Sequence, residues 1–161
     1  MREHGSGNGE TYPKNHCIKN GKLAALYLHC LRRGWRRIGK AIGLLLGCQI
    51  ACAVPKRLFI PHPLGIVTGE QAQLADDVVL LQQVTLGCKS PYAGVMKDDG
   101  DPILKEGVYV GPGAKILGRI TIGEWSIIGA NAVVTESVPA YSIVVGHNKV
   151  LRMKSTELSS A

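Results

Sequence analysis

Five histidines occur in the chain, at positions 4, 16, 29, 62 and 147, and one of them stands in a setting that suits chemistry. His62 lies in FIPHPLGIV, between Pro61 and Pro63. A proline on each side restricts the local backbone, which is useful for aiming an imidazole. With an ordinary pKa of about 6.5, imidazole is the usual general base near neutral pH. On the residues alone, a structural histidine is an equally good reading of His62. His4 and His16 sit in a polar N-terminal stretch, and His29 falls in a helical pattern. The five cysteines (17, 30, 48, 52 and 88) show no paired zinc spacing, so no metal site is expected. Tyr92, Lys97, Asp98, Asp99 and Asp101 cluster in one irregular stretch and are candidates to contact a polar substrate.

The element that must position these residues is a repeat. From Leu104 to Val134 an aliphatic residue opens every block of six: Leu104, Val110, Ile116, Ile122, Ile128 and Val134. Four positions after each opener comes a small or β-branched residue: Val108, Ala114, Ile120, Ser126 and Ala132. A period of six is neither helical nor that of an ordinary strand. It is the hexapeptide repeat of a parallel β-helix, where each block makes one side of a prism and three blocks make a coil. The openers of successive coils then stack inside, each contributing roughly 1.5–3 kcal/mol on burial. Gly111, Gly123 and Gly129 are read as tight corners with positive φ. Counting back in sixes from Leu86 gives Leu80, Leu74, Thr68 and His62, so the phase continues upstream. Residues 87–103 (GCKSPYAGVMKDDGDPI) break it and read as a loop thrown out of the prism.

The rest of the chain divides by composition. Residues 1–15 are polar and glycine-rich and read as a flexible arm. Residues 16–54 form a basic helical segment, with Gly34 weakening its middle. Residues 55–150 are the β-helix, closed by a turn at 137–141 and a strand over 143–150, and 151–161 is a polar tail. Residues 1–60 hold eleven Lys/Arg against Glu3 and Glu10, a net +9, whereas 61–161 hold eight against ten acids, a net −2. The basic helical face is either a solvated surface or a contact for an anionic partner, such as a membrane or a lipid-linked saccharide. No interleaved aromatics or binding motif support a nucleic-acid partner. The apolar run 41–54 is too short to span a bilayer. The absence of a signal-like segment and the odd cysteine count point to the cytoplasm.

Four phrases carry a family resemblance: HPLGIVTGE (62–70), LLQQVTLG (80–87), the long run from Val108 to Pro139, and VVGHNKV (144–150). The chain resembles the serine acetyltransferase-like branch of the hexapeptide-repeat acyltransferases. The resemblance implies a left-handed β-helix, a homotrimer, and acetyl-CoA lying between neighbouring prisms as co-substrate without a metal. It implies that His62 is the catalytic base of an O-acetyltransferase. It further implies cofactor contacts at Gly87, Gly111, Ala114, Ala130, Thr135 and Lys149, with Lys149 meeting the phosphates; the candidates for substrate contact, Tyr92 and Asp101, come from their place in the loop. The family's aspartate before the histidine is here Pro61, and its Arg-His pair falls on Gly100 and Asp101. An upstream aspartate partner falls near Gly47 or Cys48. These departures make a saccharide hydroxyl the expected acceptor, as in polysaccharide biosynthesis. Serine or a related amino acid is the alternative, and a non-catalytic β-helical assembly module is the reading from another class.

Overall fold

A computed structural model describes residues 18–90 and 99–152. Two helices come first, α1 (Lys22–Arg32) and α2 (Arg36–Leu46), separated at Gly34, whose φ is +72°. A left-handed residue at Gly47 (φ 59°, ψ 36°) ends α2, a conformation that glycine adopts without Cβ strain. Gly39 and Gly43 let α2 lie close to α1. A Cβ on Gly43 would stand 2.7 Å from the Cys48 carbonyl oxygen and 3.1 Å from the Tyr27 ring, and one on Gly39 would stand 3.1 Å from Leu31.

Fourteen short strands follow: β1 (Gln49–Ile50), β2 (Leu58–Phe59), β3 (Val67–Thr68), β4 (Gln73–Leu74), β5 (Val78–Leu80), β6 (Thr85–Gly87), β7 (Ile103–Leu104), β8 (Tyr109–Val110), β9 (Lys115–Leu117), β10 (Thr121–Ile122), β11 (Ile127–Ile128), β12 (Val133–Val134), β13 (Ser142–Val145) and β14 (Lys149–Arg152). They form three sheets, ordered β1-β3-β6-β9-β12, β4-β7-β10 and β2-β5-β8-β11-β13-β14. All pairings are parallel except β13 with β14. Successive strands visit the three sheets in rotation, so the chain winds as the left-handed parallel β-helix of the hexapeptide repeat. The closing strand expected over 143–150 is instead a hairpin, turned at 146–148 by Gly146 (φ 62°) and Asn148 (φ 50°).

The interior is built as the sixes dictate. Leu104, Val110, Ile116, Ile122, Ile128 and Val134 are each no more than 1% exposed, and the partner positions Val108, Ala114, Ser126 and Ala132 are fully buried. Buried Ser126 is satisfied, donating to the Pro139 carbonyl at 2.9 Å and accepting from the Ser142 N–H at 3.3 Å.

Corner geometry differs from the expectation. Gly111, Gly123 and Gly129 are absent from the positive-φ residues. They are glycines because coils approach closely there: a Cβ on Gly111 would stand 2.8 Å from the Ala130 nitrogen, and one on Gly129 would stand 3.0 Å from the Val144 carbonyl oxygen. The left-handed corners are held by Gly65, Gln83, Gly113 and Asn131 along one edge, and by Asp77, Gly107, Trp125 and Tyr141 along another.

Coil lengths vary upstream of the regular repeat. Lys115 pairs with Val133, eighteen residues on. Phe59 pairs with Val79, twenty on, and Leu86 with Ile116, thirty on. The first coil therefore carries two extra residues, so Ile60, fully buried, takes the inward slot and His62 is displaced to the exposed corner. The second coil carries twelve extra, two whole hexads, between β6 and β7. The feet of that loop are held. The Lys89 stem lies over Gly118, Arg119 lies over Gly100, and the Asp101 carboxylate packs over Gly69 and accepts from the Gln71 N–H at 2.8 Å.

One phenol ties the helices to the prism from inside, alongside the Arg32 Nε–H that donates to the Pro55 carbonyl at 2.9 Å. Tyr27 is buried; its hydroxyl accepts from the Ile50 N–H at 3.0 Å and donates to the Cys48 carbonyl at 3.4 Å. Among the described residues, no helix is long and apolar enough to cross a membrane.

Candidate active site

His62 rides on a turn pinned from three sides. The Ile66 N–H closes it on the Pro63 carbonyl at 3.2 Å, with Gly65 at φ +72°. The Gly65 N–H donates to the Gly47 carbonyl at the end of α2, at 2.7 Å. From the next coil, the Gln83 N–H donates to the Leu64 carbonyl at 2.8 Å. Just before the turn, Asn20 mimics a strand, accepting from the Ile60 N–H at 2.6 Å and donating to the Leu58 carbonyl at 2.9 Å. The backbone is thus fixed while the imidazole stands exposed. A rigid turn that presents a solvent-facing base suits proton abstraction, because less orientational freedom must be lost on reaction.

The candidate cofactor residues fall on two edges of the prism, either side of the sheet β1-β3-β6-β9-β12. The corner that leads into this sheet holds the His62 turn, then Gly111 and Ala114, then Ala130, with Lys149 just beyond the 146–148 turn. The corner that leaves it holds Gly87 and Thr135. Ala130 and Lys149 are exposed, so a ligand lying along that edge can reach them. Ala114 is fully buried, and its carbonyl already accepts from the Thr85 N–H at 3.0 Å. Thr135 is tied to Asn148, accepting at its hydroxyl from the Asn148 amide at 2.8 Å, while its own N–H donates to the Asn148 amide oxygen at 2.8 Å. Gly111 is closed against the Ala130 backbone and serves coil packing first.

Asp101 does not meet His62 within one chain. The His62 turn precedes β3, and Asp101 packs on the Gly69–Gln71 segment after it, at the opposite end of the same strand. Tyr92, Lys97 and Asp98 lie outside the described residues. Two residues that sequence reasoning missed border the site. Gln82, one coil on from Leu64, holds a buried amide oxygen with no hydrogen-bond partner. Arg119 brings a guanidinium beside Gly100. Nothing in a single sequence marks either residue, since both depend on which coil stacks on which.

The family description "Bacterial transferase hexapeptide (six repeats)" matches residues 101–136. The chain is 39% identical over 142 residues to the serine acetyltransferase of Mycobacterium tuberculosis, covering 84% of this chain and 58% of that protein. Against the Bacillus subtilis serine acetyltransferase the identity is 37% over 139 residues, with 84% and 62% covered. Among solved structures, serine acetyltransferase from Brucella abortus in complex with coenzyme A superposes with a TM-score of 0.65 at 30% identity, covering 83% of this chain and 55% of that one. The chain thus spans less than two thirds of the length of these relatives. The likeness overturns the saccharide acceptor expected from Pro61, Gly100, Asp101 and the Gly47/Cys48 position. Those departures are confined to Pro61, Gly100, Asp101 and the Gly47/Cys48 position, whereas the match to serine acetyltransferases runs through 142 residues.

Proposed function

The chain belongs to the hexapeptide-repeat acyltransferases, on their serine acetyltransferase branch, and from that premise we propose that it moves the acetyl group of acetyl-CoA to the hydroxyl of serine or a closely related amino acid. His62 accepts the hydroxyl proton as the oxygen attacks the thioester carbonyl. The tetrahedral intermediate collapses with loss of the CoA thiolate, and the imidazolium returns its proton to the sulfur, which leaves O-acetylserine and CoA. The observation that carries the reading is the pinned, exposed His62 inside a stretch shared with serine acetyltransferases.

Acetyl-CoA in this reading lies along the sheet β1-β3-β6-β9-β12, its nucleotide end toward Lys149 and its thioester toward Gly87. The outer face of the sheet β2-β5-β8-β11-β13 bears an apolar ladder of half-buried Phe59, Tyr109, Ile127 and Ile143, with Val79 covered between Phe59 and Tyr109. That ladder supports self-association into a homotrimer, and a neighbouring copy is what would bring an Asp101 foot and a Tyr92-bearing loop to His62. The family's arginine is missing at Gly100, and in this reading Arg119, whose guanidinium stands beside Gly100, meets the acceptor carboxylate in its stead.

The test is CoA release from acetyl-CoA with a panel of L-serine, homoserine, threonine and simple saccharides. Release with serine or a hydroxy-amino acid alone supports the proposal; equal release with every compound, or none above hydrolysis, contradicts it. Arg119→Ala raises the KM for serine about tenfold or more with little change in the KM for acetyl-CoA.

A further inference from the structure

We propose that the α1–α2 hairpin seats this protein on an anionic lipid surface, with the outer face of α2 lying in the headgroup plane. The inference is independent of the acyl-transfer reading. It starts from the division of α2: Gly39 and Gly43 face the protein together with Ile42 and Leu46, which pack against the core. Gly39 and Gly43 abut Leu31, Tyr27 and the Cys48 carbonyl. Three large aliphatics are turned out, with Leu44 86%, Leu45 75% and Ile38 52% exposed. Ile38, Ala41 and Leu45 stand at helical spacings of three and four and make one stripe. Trp35, 52% exposed at the start of the helix, and Leu64, 63% exposed beside its end, extend the patch at both limits.

The charge beside that stripe is of one sign. Residues 22–46 contain Lys22, Arg32, Arg33, Arg36, Arg37 and Lys40 and no acidic residue. Arg37 and Lys40 are exposed and flank the stripe on the same outer side of α2. An apolar strip edged by cations, with an indole at its margin, is the pattern of a helix that lies in a bilayer interface, where aliphatics enter the acyl boundary and basic side chains meet phosphates. Other occupants fit less well. A second copy would set the same cations against one another. Residues 1–17 contain no Leu, Ile, Val or Phe with which to cover the stripe.

Vesicle flotation of the intact protein tests this, with phosphatidylcholine vesicles against mixed phosphatidylcholine/phosphatidylglycerol vesicles. The expected result is flotation with the mixed vesicles only, weakening as salt is raised. Ile38→Glu/Leu45→Glu and, separately, Arg37→Glu/Lys40→Glu each lower the bound fraction at least about tenfold. Both variants keep the circular-dichroism spectrum and the wild-type rate on soluble serine, which keeps this outcome apart from any failure of the enzymatic reading. Should a glutamate variant misfold, Leu44→Ser/Leu45→Ser replaces it with the same expectation. Absence of flotation, or equal flotation on neutral and mixed vesicles, overturns the proposal. A concentration-dependent rise in sedimentation coefficient that Leu45→Glu abolishes, without flotation, also overturns it and assigns the face to a second copy.

Discussion

Two halves of one prism teach different lessons. From Leu104 to Val134 every coil is eighteen residues, every opener is buried and every strand stacks on its equivalent one coil away. From Gln49 to Ile103 the spacing is uneven: eighteen residues from Gln49 to Val67 and from Val67 to Thr85, but twenty from Phe59 to Val79 and thirty from Gln73 to Ile103. The candidate base, the loop and the helical attachment all belong to this irregular half. Regular repeats give a stack that cannot easily place one side chain differently from its neighbours. Extra residues at a corner break that equivalence at one point while leaving the strands in phase. The two-residue excess moves His62 off the interior ladder onto a displayed turn. The twelve-residue excess keeps phase because it is two whole hexads.

The comparison predicts that the halves fail differently when altered. The largest expected effect is on rate: excising the twelve residues 90–101 leaves three residues between Gly87 and Ile103, the same number that separates β9 from β10. The excised protein keeps its β-sheet circular dichroism, while serine-dependent CoA release drops by about a hundredfold or more, as expected when positioning groups are lost. Loss of the β-sheet signal would show that the loop is part of the stack. Next comes stability in the regular half. Ile122→Ala, at a fully buried opener, costs about 2–5 kcal/mol in urea unfolding because a sealed interior cannot collapse around the void. A cost near zero would mean that the column is not close-packed.

Much of this division was legible in the residues. The sixes from Leu104 to Val134 announced the prism because burial on three flat sides leaves no other reason for that spacing. Counting back through the loop recovered the right phase, yet for a reason that the sequence could not display, since an insertion of two hexads is invisible to a count in sixes. His62 fell on an opener by the same count and proved to be two residues past it, because the backbone of a coil can absorb a bulge that periodicity does not register. Gly111, Gly123 and Gly129 were read as left-handed corners; they are close approaches, a property of the coil alongside rather than of the local chain. The positions of Tyr27 against Ile50 and of Arg119 beside Gly100 rest wholly on long-range packing. The acceptor was misread because a few local departures, at Pro61, Gly100, Asp101 and Gly47/Cys48, were weighed above a likeness that extends over most of the chain.

Smaller effects sharpen the contrast. Gly123→Ala puts a Cβ into the Ala140 backbone and costs about 1–3 kcal/mol, readable as a drop in melting temperature with the rate per folded molecule retained. The irregular half should show its own pH dependence. Burial pushes the Cys48 thiol up from 9.0 to about 11 and the Tyr27 phenol up from 10.0 to about 12. The native state therefore holds protons that the unfolded chain has already released. That contribution to stability is full below about pH 9 and is lost as pH climbs through about 11 to 12. Urea midpoints should fall across that window, and Cys48→Ala should flatten the lower part of the fall; a flat wild-type profile would contradict the burial argument at the helix–prism junction.

The most direct test is a paired assay of wild type and His62→Ala for CoA release with acetyl-CoA and L-serine, run on protein whose oligomeric mass and circular dichroism have been matched. The exposed side chain makes no described hydrogen bond, so the fold should be kept while kcat falls by about 10²–10⁴. A His62→Ala protein that acetylates serine at the wild-type rate would contradict the account.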